Sequence, residues 1–167
     1  RLANILREAD AGNPIRQLEL AETVEERDPH ILGILGTRKR SVSQLELTVE
    51  DGSEEETHKQ QAEVVRDWLK RDELQGELFD MLDAIHKGYS FTEIIWDTSE
   101  GQWRPLRLDG RDPRWFDFER HNLTNPQLID EDGQRVPLPA GKFIYCPMAA
   151  KSGIPLRAGL SRVLSWV

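Results

Sequence analysis

The 167-residue chain is 38% hydrophobic and 31% charged, with a formal net charge of -8. It is long enough for one domain or two very small ones, and its charge has the wrong sign for independent, non-specific binding to a phosphate backbone, which needs Lys and Arg. Cys146 is the only cysteine, which excludes an internal disulfide, and no apolar run approaches the ~20 residues of a bilayer-spanning helix.

The chain opens inside a helical pattern (Leu2, Ile5, Leu6, Ala9) and stops inside another apolar-periodic segment, so it reads as a piece of a longer protein. Asn13-Pro14 is a helix start, a capping side chain followed by Pro where no N–H is needed. A polar helix with a thin apolar stripe is expected to about Glu26, and residues 1–27 read as a separate N-terminal helical arm. Asp28-Pro29 repeats the start signal. The next helix carries Ile31, Ile34, Leu35 and Val42 on one side, and the cations Arg38-Lys39-Arg40 near its end suit the negative pole of the dipole.

From Gln44 to Glu50, Leu45, Leu47 and Val49 alternate with Glu46, Thr48 and Glu50, which predicts a half-buried strand. Asp51-Gly52-Ser53 is a turn. Ser53 and the carboxylates Glu54-Glu55-Glu56 open a helix through Ala62, Val65, Trp68 and Leu69. A further helix places Leu74, Leu78, Phe79, Leu82 and Ile85 on one face and stops at Gly88, which tolerates the left-handed conformation. The period then changes. Phe91 to Trp96 and Trp103 to Leu108 form a hairpin around 97–101, Trp115 to Glu119 a third strand, Leu128-Ile129 and Arg135-Val136 a second hairpin, and Lys142 to Cys146 a last strand. Leu156 to Val167 is helical again. The order of helices, one strand, two helices, a mainly antiparallel sheet of hairpins and a cut-off C-terminal helix is an α+β arrangement.

Little in the chain points to catalysis. His30, His58, His86 and His121 stand far apart, outside the spacing of a zinc site. Asp130-Glu131-Asp132-Gly133 lacks the later ligands of a calcium loop and reads as a turn. Gly141-Lys142 lacks the first Gly and the Ser or Thr of a phosphate-binding loop. Glu93, inside an apolar strand, is the one carboxylate with enzymatic potential, and a solvent-facing strand residue is its ordinary reading. Arg38, Lys39 and Arg40 are candidates for contact with a DNA backbone or a partner's acidic face, against the ordinary reading of a charged helix end. Trp96, Trp103 and Trp115 could stack bases, but their aliphatic neighbours suit core or subunit-interface packing. No catalytic residue, cofactor or metal is expected.

Several segments in fixed order resemble the portal proteins of Mu-like bacteriophages and prophages. They are Asp28-Pro29-His30 with Thr37-Arg38-Lys39, then Leu82 to Ser90, Glu93-Ile94-Ile95-Trp96, Arg111 to Phe116, Leu138 to Phe143 and Gly153 to Leu160. The similarity covers nearly the whole chain and only the N-terminal part of such a protein. It implies that residues 28–167 are an α+β, wing-like domain cut off where the stem begins. It also implies a homo-oligomeric ring at a capsid vertex, a conduit for DNA during packaging and ejection without sequence-specific binding. The implied partners are the terminase large subunit, the capsid and the head–tail connector. The implied location is the virion and, during assembly, the host bacterial cytoplasm, with no membrane role. Two other readings stay open: a head-completion or tail adaptor acting through protein contacts alone, and an enzyme using Glu93 or a scattered His set.

Overall fold

The computed structural model describes residues 1–101, 103–148 and 151–166. The helices α1 (Leu2–Asp10), α2 (Ile15–Arg27), α3 (Pro29–Ser43), α4 (Glu56–Leu69), α5 (Leu74–Met81) and the single-turn α6 (Ala84–Lys87) come first. The strands β1 (Tyr89–Asp97), β2 (Arg104–Arg111), β3 (Phe116–Glu119), β4 (Asn122–Ile129), β5 (Arg135–Pro137) and β6 (Phe143–Pro147) follow, then the short α7 (Ser161–Leu164). They form two three-stranded antiparallel sheets, ordered β2-β1-β6 and β3-β4-β5. The α+β arrangement read from the sequence is therefore present.

The Asp-Pro start of α3 forms as its chemistry requires. Asp28 Oδ1 accepts from the N–H groups of His30 (2.9 Å) and Ile31 (3.2 Å), with Pro29 in the first turn. α2 differs, because Pro14 is its boundary residue and no side chain caps it. Despite its thin stripe, α2 buries Leu18 and Ala21, and Leu18 joins the central cluster.

The core lies where the two sheets meet. Tyr89 and Phe91 of β1, Phe116 and Phe118 of β3, and Phe143 and Tyr145 of β6 are each two residues apart, the spacing that sends both side chains to one face of a strand. Phe91 stacks on Phe116 with centroids 3.7 Å apart, and Tyr89 meets Phe118 edge to face at 5.1 Å. Leu18 and Leu156 close the cluster from the two ends of the chain.

The helix expected from Leu74 to Gly88 is interrupted at Leu82 and Asp83 into α5 and α6, and three further expectations are corrected. The strand over 44–50 is absent: residues 46–50 pair with nothing in a sheet, and Leu45 and Leu47 are 64% and 50% exposed. The nearby edge of β2 is already occupied. Trp68 Nε1 donates to Pro105 O (2.5 Å), Arg71 donates to Leu106 O (3.2 Å), and Glu77 accepts from the Leu108 N–H (2.9 Å). An alternating segment without a free ladder stays a loop. Second, β4 begins well before Leu128 and pairs with both β3 and β5. Its Asn, Thr and Pro residues disguise it, yet Pro126 lies just outside the β5 register, so its missing N–H costs no bond there. Third, the terminal helix is broken into a tight turn at Pro155–Arg157 and the four-residue α7. Its expected last residue, Val167, lies outside the described residues.

Candidate assembly surfaces

Two of the segments that carry the resemblance meet backbone to backbone. Gly88 ends α6 at φ 100°, where a Cβ would stand 2.5 Å from Pro155 O and 2.8 Å from Gly159 N. A Cβ on Gly159 would stand 2.5 Å from His86 O. The contact is sealed by Leu160 N–H to Ile85 O (3.1 Å) and Met148 N–H to Gly88 O (2.9 Å). α2 joins it from the other side. Gln17 Nε2 donates to Leu156 O (3.0 Å), and His86 Nε2 lies 2.9 Å from Ala21 O, which makes Nε2 the protonated nitrogen. The buried His86 thus braces helices.

Beside this junction runs a chain of ion pairs that pattern reading did not find. Lys39 and Lys87 both hold Asp83 (2.8 and 2.7 Å), Lys87 reaches Glu22 (3.4 Å), and Arg114 bridges Glu22 (3.2 Å) and Asp112 (2.8 Å). Burial pushes the Asp83 carboxyl up, but Lys87 and Lys39 outweigh it and hold the group below the ordinary carboxylate range. Its partners span 22 to 114 in the chain, so no local motif announces the network.

The three candidate cations are not presented together. Lys39 is 5% exposed, tied to Asp83 and 5.1 Å above the Phe79 ring, whereas Arg38 and Arg40 are exposed. Glu93 is half-buried between Arg111 Nε (2.7 Å) and Lys142 Nζ (3.2 Å). Burial raises its pKa, and the two cations more than reverse that, so the carboxylate is held ionised, opposite to the shift a general acid requires. His30 and His121 are exposed, and His58 Nδ1 lies 2.7 Å from Ser53 Oγ. Among the described residues, no three His, Cys, Asp or Glu side chains are grouped to hold a metal ion, and no helix is long and apolar enough to cross a membrane. The tryptophans are not core. Trp103 is 70% exposed and stands 6.0 Å from the half-buried Trp96, and Trp115 is also exposed.

The least satisfied surface spans 44–70. Leu45, Leu47, Val64 and Val65 are exposed, and an open groove of about 800 Å³ runs between residues 43–49 and the facing sides of α4 and α5. From Glu46 to Glu56 there are six carboxylates and no Lys or Arg.

A family model described as "Portal protein of Mu bacteriophage" matches residues 18–167. The chain belongs to this family of Mu-type portal proteins. It is similar to the portal protein of Escherichia phage Mu, at 33% identity over 171 residues, and to the Mu-like prophage FluMu protein gp29 of Haemophilus influenzae, at 31% over 172 residues. Each match covers 99% of this chain and 33% of the relative, so the chain spans about a third of the length of the curated relatives it matches.

The portal family is a structural component of phage particles, and the side chains of this member are deployed accordingly. Its chain of part-buried ion pairs fastens α2, α3 and α6 to the turn after β2, and its buried aromatics hold two sheets in one orientation. The surface over 44–65 left for contact is apolar and acidic, and Arg38 and Arg40 are exposed on α3.

Proposed function

We propose that this chain is the wing-like part of a homo-oligomeric portal ring at a capsid vertex, through which phage DNA is packaged and later leaves, and that it acts by shape and contact without catalysing a reaction. The observation that carries this reading is the family match over residues 18–167, joined to a fold in which Lys39 and Glu93 serve as structural ties. In this reading residues 1–27 form a peripheral arm docked through Leu18, and residues 28–167 the wing-like body. The net charge of -8 suits a conduit, because an acidic wall repels the DNA backbone rather than trapping it. Terminase, capsid and head–tail connector are the partners, with exposed Arg38 and Arg40 available for contact and Lys39 acting from beneath. The protein resides in the virion, after assembly in the host cytoplasm.

Electron microscopy of the whole protein tests this, with closed rings expected. A protein that stays monomeric across salt concentrations and with capsid partners would overturn the ring and favour an adaptor acting through protein contacts alone. Gel-shift titration of this chain with duplex DNA should show no tight, salt-sensitive complex.

A further inference from the structure

Residues 45–49 have the alternation of a strand and no strand partner. Among the described residues, 46–52 make no backbone–backbone hydrogen bond, although the segment is not loose: Arg66 donates to Val49 O (2.8 and 3.2 Å) and pairs with Asp51 (2.7 Å). The segment is therefore presented on α4 with no backbone partner for its ladder groups, the Val49 carbonyl alone being taken by Arg66, and with Leu45 and Leu47 in solvent. Such a segment is a template for pairing with a free sheet edge.

The same chain has such an edge. β6 is the outer strand of its sheet. The bonds Ile94 N–H to Lys142 O (2.7 Å) and Met148 N–H to Gly88 O (2.9 Å) turn the alternate residues 142, 144, 146 and 148 toward β1. The N–H and C=O groups of Phe143 and Tyr145 therefore lie along the outer edge, where no backbone bond is formed among the described residues. Both stretches are five residues long. Residues 141–151 carry Lys142 and Lys151 and no carboxylate, opposite in sign to the six carboxylates of 46–56. Lys142, although 3.2 Å from Glu93, keeps its side chain half exposed.

A chain cannot make this pairing with itself. Its 45–49 segment is anchored on α4 beside β2, and β1 stands between β2 and β6. The two halves of the contact are different surfaces of the chain, a segment carried on α4 and the outer edge of β6, which is the head-to-tail arrangement that generates closed rings or filaments. We infer that residues 45–49 of one subunit add as a strand to the free β6 edge of a second copy, forming a sheet continuous across the subunit boundary. The inference rests on the ring reading and names the contact that builds it.

Cross-linking in the whole protein, with any further cysteine replaced by serine, tests the contact against the native Cys146 of β6. Thr48→Cys and Val49→Cys sample the two faces of the segment. Under oxidised glutathione, one of them should give a ladder extending past the dimer on a non-reducing gel, lost when Cys146→Ser is added. Thr48→Pro deletes an N–H in an exposed loop and should lower the association constant of each subunit contact about 10-fold, the worth of one hydrogen bond. Rings without a cross-link from either variant would overturn the strand pairing and leave the ring standing. A cross-linked species that migrates as one chain would overturn the second copy as occupant. An unsubstituted protein that never assembles would overturn the ring and this contact together.

Discussion

At the meeting of the two sheets, Tyr89, Phe91, Phe116 and Phe118 are each at most 2% exposed, and Gly88 and Gly159 approach so closely that neither has room for a methyl group. Across 44–70, by contrast, Ala62 is the single buried residue. The first region resolves its apolar and backbone chemistry: aromatic faces meet, glycines let backbones touch, and bonds between distant segments close the contact, while the Tyr89 and Tyr145 hydroxyls stay buried without a hydrogen-bond partner among the described residues. The second leaves apolar side chains in water and ladder groups without backbone partners. The difference separates what makes this fold stand alone from what an assembly would use, since exposed apolar surface with unused ladder groups is costly in a finished monomer.

The comparison breaks most directly through the aromatic cluster. Phe91→Ala should destabilise the chain by about 3–5 kcal/mol, because a ring stacked on both Phe116 and Tyr145 leaves a cavity that two sheets cannot close. Gly88→Ala comes next, at about 3 kcal/mol, adding left-handed strain to a clash with the Pro155 carbonyl. Urea unfolding measures both. A loss below 1 kcal/mol for either, by roughly the scale of an ordinary surface change, would mean that the junction is not the cooperative centre.

The ion-pair chain should yield a smaller, pH-dependent effect. Asp83→Asn leaves Lys39 and Lys87 without their shared anion and should cost about 2 kcal/mol near neutral pH. The sign follows from linkage. Asp83, Glu93 and Asp112 are held below their ordinary values in the fold, so their contribution is complete above the ordinary carboxylate range and is lost as pH falls through the depressed values. Stability of the unsubstituted chain should therefore fall on acidification, and Asp83→Asn should flatten that slope. A slope unchanged by the substitution would contradict the assignment.

Local signals were readable where one residue acts on its own backbone. Asp28-Pro29 capped a helix as its chemistry demands, and Gly88 stopped one at positive φ. The hairpin around 97–101 and the alternation of β6 were equally visible. What failed depended on distant partners. The 44–50 alternation is genuine, but a strand needs an edge, and Trp68, Arg71 and Glu77 cover the nearest one. Of the two readings of the tryptophans, core and subunit interface, the core one fails because pattern gives hydrophobicity without location, whereas the inward-facing pairs on β1, β3 and β6 are Phe and Tyr. Among the candidate cations, Lys39 was drawn inward by Asp83, 44 residues away. The ring reading came from the order of family segments, and the structure adds that two of them touch at Gly88 and Gly159.

The smallest expected effect on the isolated chain sharpens the comparison most. Leu47→Ser removes an apolar side chain that is half exposed and outside any sheet, so urea unfolding of this chain should shift by no more than about 0.5 kcal/mol. If the segment serves a second copy, the same change should weaken assembly of the whole protein measurably, because its burial would occur only there. The two measurements must diverge. A substitution that destabilises the chain and its assembly equally would place Leu47 in the monomer's own core, and the contrast between a finished junction and an unfinished surface would then dissolve.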